Sequence, residues 1–145
     1  MLLAHGAALE AHDDAGLTPL HHAASTGNLP ALAALLTAKA DPRATTKVGA
    51  TPLHWAATRG RTEAVTTLIA ARAPLDLADA EGQTALHLAV VAGHRAAARA
   101  LLDAGANPNL ENQRGQNALA CAEACNRPEL ASLLRSKGAK SGLAP

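Results

Sequence analysis

The first candidates for chemistry in this sequence are three histidines at equal spacing. His21, His54 and His87 follow one another at intervals of 33 residues. An imidazole ring can bind a metal ion or act as a general base near neutral pH, so a row of metal ligands or bases on neighbouring structural units is one hypothesis. The alternative is that each histidine lies in the first turn of a helix and forms hydrogen bonds to the loop of its own or the next unit.

A second candidate is the pair Cys121 and Cys125, which are four residues apart on a predicted helix. Two thiolates on one helical face could hold zinc with two further ligands, but no Cys or His follows them in the chain. The helical spacing is poorly suited to an internal disulfide. We therefore predict free thiols, no metal ion and no cofactor. Free thiols fit a reducing, intracellular environment, which would be the cytoplasm, or the nucleus in a eukaryote.

Other signatures of catalysis or of special partners are missing from the sequence. There is no glycine-rich phosphate loop and no G-x-S-x-G motif, and Asp13 and Asp14 are predicted to lie in a solvated turn. A formal net charge of +1 and a single aromatic residue do not suit nucleic-acid binding. The apolar runs are too short to span a bilayer. We expect no enzyme activity, no nucleic-acid partner and no membrane insertion.

The apolar residues favour an all-α fold. Hydrophobic residues make up 48% of the chain, yet Phe and Tyr are absent and alanine is abundant. Alanine is the best helix former. Its side chain is small, however, so its burial removes little apolar area from water, and each Å² of that area stabilises the fold by only about 25 cal/mol. A core of this composition is stable where small side chains allow helix backbones to pack closely.

An internal repeat organises the whole sequence. The clearest copies are GLTPLHHAASTG at 16–27, GATPLHWAATRG at 49–60, GQTALHLAVVAG at 82–93 and GQNALACAEACN at 115–126. Their starting points are 33 residues apart, and leucine-rich pairs at 35–36, 68–69 and 101–102 keep the same register. Several independent columns with a fixed period and no insertion are typical of a repeat protein.

The pattern of T-P-L-H-x-A-A-x-x-G, then a leucine pair and then G-A, closely resembles the ankyrin repeat. The resemblance covers nearly the whole chain and implies an α-solenoid of helix–turn–helix repeats with projecting β-turn fingers. It also implies that the histidine of T-P-L-H belongs to the scaffold. The predicted domain at 1–140 would comprise a partial repeat at 1–12 and repeats at 13–45, 46–78, 79–111 and 112–140, followed by a flexible tail at 141–145.

Local sequence rules predict where the helices begin and end. The first helix of each unit should begin after an N-cap residue, and these caps are Thr18, Thr51, Thr84 and Asn117. It should end at a residue that tolerates a left-handed backbone, and these residues are Gly27, Gly60, Gly93 and Asn126. A second helix should follow, for example over 61–71, where Val65, Leu68 and Ile69 recur at helical spacing.

The resemblance implies a function as a protein–protein interaction module without chemistry of its own. Its partner, another protein or a peptide, would bind a concave surface lined by positions that vary between repeats and by the finger tips. The variable position after L-H is occupied by His22, Trp55, Leu88 and Cys121. Further members of the predicted surface are Thr58, Arg59 and Val91 on the first helices and Lys47, Glu81 and Arg114 on the fingers.

Trp55 stands out because it is the only tryptophan and would neighbour Leu88 one period away. With Val91 these residues could form an apolar patch with a polar rim, the arrangement in which binding hot spots concentrate. The alternative is that Trp55 leans on its neighbours and merely covers the stack. The sequence leaves these two interpretations open.

Several positions depart from the repeat. Lys39 and Arg72 occupy a column that elsewhere holds Gly6, Gly105 and Gly138, so backbone strain is expected there. Arg135 replaces the second leucine of the last pair, which suits a terminal unit that faces water. The chain starts within a repeat, so we expect either a fragment of a longer protein or a partner that covers this end. The protein itself is expected to be a monomer or part of a larger chain. A second hypothesis is therefore a recruitment or regulatory domain of a larger enzyme or bacterial effector.

Overall fold

A computed structural model describes residues 9–140 of the protein. Within this range the chain forms helices and no strand, which confirms the predicted all-α fold. The helices are α1 (Pro19–Thr26), α2 (Leu29–Thr37), α3 (Pro52–Thr58), α4 (Thr62–Ala70), α5 (Ala85–Ala92), α6 (Arg95–Asp103), α7 (Ala118–Ala124) and α8 (Pro128–Ser136). The predictions for the part of the partial repeat before Leu9, which includes Gly6, and for the tail at 141–145 lie outside the described residues.

The first helix of each pair begins at the predicted cap. The hydroxyl oxygens of Thr18, Thr51 and Thr84 accept a hydrogen bond from the backbone N–H three residues later. The side-chain oxygen of Asn117 does the same for Ala120 at 2.9 Å. These bonds satisfy N–H groups that have no partner within the helix. All four predicted N-caps are confirmed.

The first helices also end as predicted. Gly27 and Gly60 adopt positive φ values of 73° and 68°, a conformation that glycine reaches without steric cost. Asn126 takes the same role after α7, with a φ of 56°. The second helix of the second pair is one residue shorter at each end than the predicted 61–71, because the backbones of Arg61 and Ala71 already leave helical geometry at ψ values of 76° and 8°.

The helix pairs pack side by side in two rows. Each first helix contacts the first helix of the next pair, and each second helix contacts the next second helix. Both rows contribute a line of buried leucines at the repeat spacing, 4% exposed or less: Leu20, Leu53, Leu86 and Leu119 in one row, and Leu35, Leu68, Leu101 and Leu134 in the other. Burying a leucine stabilises the fold by about 1.5–3 kcal/mol. No helix within residues 9–140 exceeds nine residues, so packing rather than helix propensity holds the fold.

A line of small residues lets the first helices approach closely. Ala23, Ala56, Ala89 and Ala122 are all buried, at 6% exposure or less. A methyl group fills the space between two close helix backbones without a void. The predicted close packing over alanine columns is therefore confirmed.

The projecting fingers are tight turns that hydrogen-bond to one another. In each, a backbone N–H bonds to the carbonyl three residues earlier, as Gly49 does to Thr46 at 2.9 Å, which is the hydrogen bond of a β-turn. One backbone bond then joins each finger to the next, for example from Ala80 N–H to the Val48 carbonyl at 2.9 Å. The fingers consequently form a continuous edge along the row of first helices.

Candidate functional site

The histidine row is built into the scaffold. The N–H of Thr51 donates to Nδ1 of His54 at 3.0 Å, and Nε2–H of the same ring donates to the carbonyl of Gln83 in the next unit at 2.9 Å. His21 and His87 make the same two bonds, with Nε2 reaching the carbonyls of Ala50 and Gln116. Both ring nitrogens are thus engaged. The predicted hydrogen bonds to the loops of a histidine's own and the next unit are confirmed.

The surroundings keep these three rings neutral. Burial lowers the pKa of His21, His54 and His87, because a charged ring loses its hydration in the interior. The carbonyl that accepts from each Nε2 favours the charged form but does not compensate for burial. A neutral ring is also what the Thr N–H requires, since Nδ1 must offer a lone pair to accept it.

The cysteine pair is split between the interior and the surface. Cys121 is only 3% exposed and Cys125 is exposed, and both are free thiols. Placing Cys121 on the variable outer column with Trp55 was therefore wrong. The Nδ2 of Asn112, in the last finger, lies 3.9 Å from its sulfur and covers it, and burial raises the pKa of the Cys121 thiol. No group of three or more His, Cys, Asp or Glu side chains suited to a metal ion occurs within residues 9–140.

Trp55 lies on α3 and is half-buried. Its indole Nε1 is covered but has no hydrogen-bond partner in the described part of the chain. The guanidinium of Arg59, which caps the end of α3, lies over the indole at 6.0 Å from the ring centroid. That distance is at the outer limit of a cation–π contact. The structure thus brings two of the predicted site residues together around a donor without an acceptor.

The predicted apolar neighbours of Trp55 lie on the next first helix, α5. Leu88 is half-buried and Val91 is exposed at 40%. The helices α3 and α5 pack directly against each other. The sequence placed Leu88 one period after Trp55, and the structure sets them on adjacent helices of the same row.

Two predicted site residues are partly occupied by the scaffold. The hydroxyl of Thr58 donates to the carbonyl of His54 at 2.8 Å, and the carbonyl of Thr58 accepts from Nε2 of His94 at 3.1 Å. His22 is exposed, and its Nε2 lies 3.1 Å from a carboxylate oxygen of Asp13 in the first finger. Contacts to Asp13 lower the pKa of that carboxyl, chiefly through the backbone N–H of Leu17.

The three charged finger residues that were predicted, Lys47, Glu81 and Arg114, are all exposed. None forms an ion pair with another residue of the 9–140 range. Arg59 likewise has no carboxylate partner within that range. The charges on this face are thus solvated in the free protein, and the signs differ from one finger to the next.

One set of residues at the joints between units was not predicted. Arg61, His94 and Arg127 each donate a hydrogen bond to a carbonyl at the end of the preceding first helix, at 3.1, 3.1 and 3.3 Å. Each directly follows the residue that ends the first helix of its own unit, which is Gly60, Gly93 or Asn126, and the three recur at the 33-residue period. A column of long polar side chains directly after the residue that ends each of these first helices was the available signal.

The chain belongs to the ankyrin repeat family. The family model for ankyrin repeats matches it in three overlapping copies, over residues 1–79, 31–112 and 69–143. No curated protein matches the chain. Ankyrin repeats are generally non-catalytic modules that bind other proteins. None of the helices described between residues 9 and 140 is long and apolar enough to cross a membrane.

Proposed function

We propose that this protein binds a partner protein through the surface formed by its first helices and fingers, with Trp55 at the centre. The supporting observation is the state of Trp55. The half-buried indole carries an unpartnered N–H, lies under the exposed cation of Arg59, and belongs to a helix that packs against the one with the exposed Val91. Interfaces concentrate their binding energy at such aromatic positions.

The remaining members of the proposed surface extend it from Trp55 onto the neighbouring first helix and onto the fingers. Leu88 and Val91 continue the apolar area onto α5, while Lys47 and Arg114 provide charge on the second and fourth fingers. The repeated, buried histidines add no free ring nitrogen to this surface, because both nitrogens of each ring are bonded within the scaffold. The apolar and charged side chains of this surface are suited to the recognition of a partner protein.

Replacing Trp55 by alanine tests the proposal. We expect Trp55→Ala to weaken partner binding by more than about 1 kcal/mol, because truncation removes the largest side chain of the surface. Wild-type protein and the variant would be used as parallel baits for affinity capture, and each captured protein would then be titrated by calorimetry. Arg99→Ala, on the exposed side of α6 in the other helix row, is the control and should bind normally.

Circular dichroism separates binding from folding. The proposal requires that Trp55→Ala remain folded at the temperature of the binding experiment. A variant that melts early but binds every partner with wild-type affinity would show that Trp55 only covers the stack. The second hypothesis, a recruitment or regulatory domain of a larger enzyme or bacterial effector, stays a prediction.

A further inference from the structure

We infer that the segment bound at Trp55 is a short stretch of a partner protein that carries a carboxylate next to an apolar side chain. This inference rests on the proposed function and specifies the chemistry of the partner. Its basis is the separation of charge and apolar surface between two adjacent units, the one that contains α3 and the one that contains α5.

The unit that contains α3 offers more hydrogen-bond donors than acceptors at its centre. Lys47 on the finger and Arg59 at the end of α3 are exposed cations without a carboxylate in the described part of the chain. The Nε1–H of Trp55 is a third donor without an acceptor. The hydroxyl hydrogen of Thr58 is bonded to the backbone of α3, so this side chain adds only its oxygen lone pairs to the group. A ligand that matches this group must bring acceptors, and a carboxylate brings two oxygens and a negative charge.

The indole N–H makes this preference stronger. A covered donor without a partner is unfavourable, so an acceptor supplied by the partner would stabilise the indole N–H. A small rotation of the ring, with displacement of the Arg59 guanidinium that lies over it at 6.0 Å, would present Nε1–H to an acceptor on the partner. A guanidinium held only by a cation–π contact of that length is easily moved.

The adjacent unit that contains α5 offers the complementary apolar contact. Leu88 and Val91 present half-buried and exposed aliphatic surface there, while the finger of the same unit carries the carboxylate of Glu81. Glu81 would repel a second carboxylate. The arrangement therefore directs the acidic group of a bound segment to the α3 unit and its apolar side chain to the α5 unit.

Peptide display tests this pairing without knowledge of the natural partner. A library of random peptides would be selected against the full chain, with Trp55→Ala, Arg59→Gln and the matched control Arg99→Gln as parallel baits. We expect enriched peptides to share an acidic residue within a few positions of an aliphatic or aromatic one. Enrichment should be lost on Trp55→Ala, reduced on Arg59→Gln and unchanged on Arg99→Gln.

A double-mutant cycle on a selected peptide measures the charge contact directly. Replacing the peptide carboxylates by amides should weaken binding to the wild type by about fivefold or more, and should have little further effect on Arg59→Gln. Because Trp55 is the only tryptophan, its fluorescence reports each titration and should shift as the ring rotates.

The outcomes distinguish this inference from the proposed function. Peptides that need Trp55 but bind equally well without carboxylates overturn the acidic segment and leave the binding surface intact. Peptides that bind regardless of Trp55 overturn the surface itself. A selection that enriches nothing also counts against the inference, because it concerns a short linear segment, and leaves the surface to folded partners.

Discussion

Two residues with long basic side chains adopt a backbone conformation that favours glycine. Lys39 and Arg72 have φ values of 74° and 67°, as the repeat column predicted from Gly105 and Gly138. The left-handed region brings Cβ close to the carbonyl oxygen and costs about 1–2 kcal/mol. Both side chains are exposed, so no packing contact offsets this cost.

Arg72→Gly should therefore stabilise the protein. We expect the free energy of unfolding to rise by about 0.5–1 kcal/mol, since the strain that is relieved exceeds the extra backbone entropy of glycine in the unfolded chain. Urea denaturation followed by circular dichroism measures the change. Gly105→Ala is the reverse control, because a Cβ there meets no atom within 4 Å and only the backbone at φ 104° is strained. Equal stability of Arg72→Gly and the wild type would show that the position carries no strain.

Residue-scale features differ in how far the sequence could reveal them. The positive φ of Lys39 and Arg72 and the caps at Thr18 and Thr51 follow from a single repeat column each. The unpartnered Nε1 of Trp55 does not, because the orientation of one indole depends on neighbours from more than one unit. The burial of Cys121 was missed for a different reason, since its cover comes from the side chain of Asn112, nine positions earlier in the finger of the same unit.

At the scale of the helix, the first helices of three units begin with a reciprocal cap. The threonine oxygen accepts from the histidine N–H, and the histidine Nδ1 accepts from the threonine N–H. The second bond requires a neutral ring. Because the same histidine also reaches the next unit through Nε2, protonation would disturb both the start of a helix and a contact between units.

Stability should consequently fall in mild acid. Burial lowers the pKa of His21, His54 and His87 in the folded state, whereas the unfolded chain keeps a value near 6.5. Below about pH 6.5 the unfolded state binds more protons, so the free energy of unfolding falls by up to about 1.4 kcal/mol per pH unit for each histidine until the folded rings also titrate. Above that pH these rings contribute no dependence.

Urea denaturation between pH 7.5 and 5 would measure this slope. His54→Gln is the informative variant, because glutamine at the third position of a helix can also close the cap but does not titrate. The variant should show a smaller slope over this range. An identical slope in the variant and the wild type would assign the acid sensitivity to other groups.

The helix boundaries could be predicted because their signals are local in the sequence. The hydrogen bonds between neighbouring units could not be predicted in this way. Backbone N–H groups at 41, 107 and 140 donate to side-chain oxygens of Glu10, Asp76 and Asn109 in the preceding unit, at 2.9–3.0 Å. The remaining unit breaks this ladder twice. Pro74 has no N–H to donate, and Arg43 stands where the acceptor would be. The sequence alone shows only that Arg43 and Pro74 are 31 residues apart. The fold shows that the missing donor of Pro74 and the missing acceptor at Arg43 belong to the same link between units, so one loss compensates for the other.

Over the whole molecule, stability depends on the joints between neighbouring units. Each joint combines the packed leucine rows with the histidine bond, a finger bond and, at three joints of the described range, the Arg61, His94 or Arg127 side chain. The sequence predicted a stack with nearest-neighbour contacts. The sequence did not show that the glycines at the ends of the first helices also leave room for side chains of the next unit, because that requirement is steric.

The joint between the second and third units offers a test of this steric coupling. A Cβ at Gly60 would lie 2.5 Å from Nδ1 of His94, in addition to the backbone strain at φ 68°. We expect Gly60→Ala to lower the free energy of unfolding by about 2–3 kcal/mol. Gly105→Ala, which adds strain without a clash, should cost only about 1 kcal/mol.

The double variant Gly60→Ala/His94→Ala separates the clash from the strain. Removing the imidazole deletes the clash together with the hydrogen bond to Thr58, so the two substitutions should cost less than the sum of their separate effects. Additive effects would mean that the imidazole ring moves aside without cost and that Gly60 serves only its own helix end.

Hydrogen exchange shows which helices lose protection in Gly60→Ala. Because units stabilise only their neighbours, the loss of protection should concentrate in α3 to α6, the two helix pairs that meet at this joint, with smaller changes in α1 and α8.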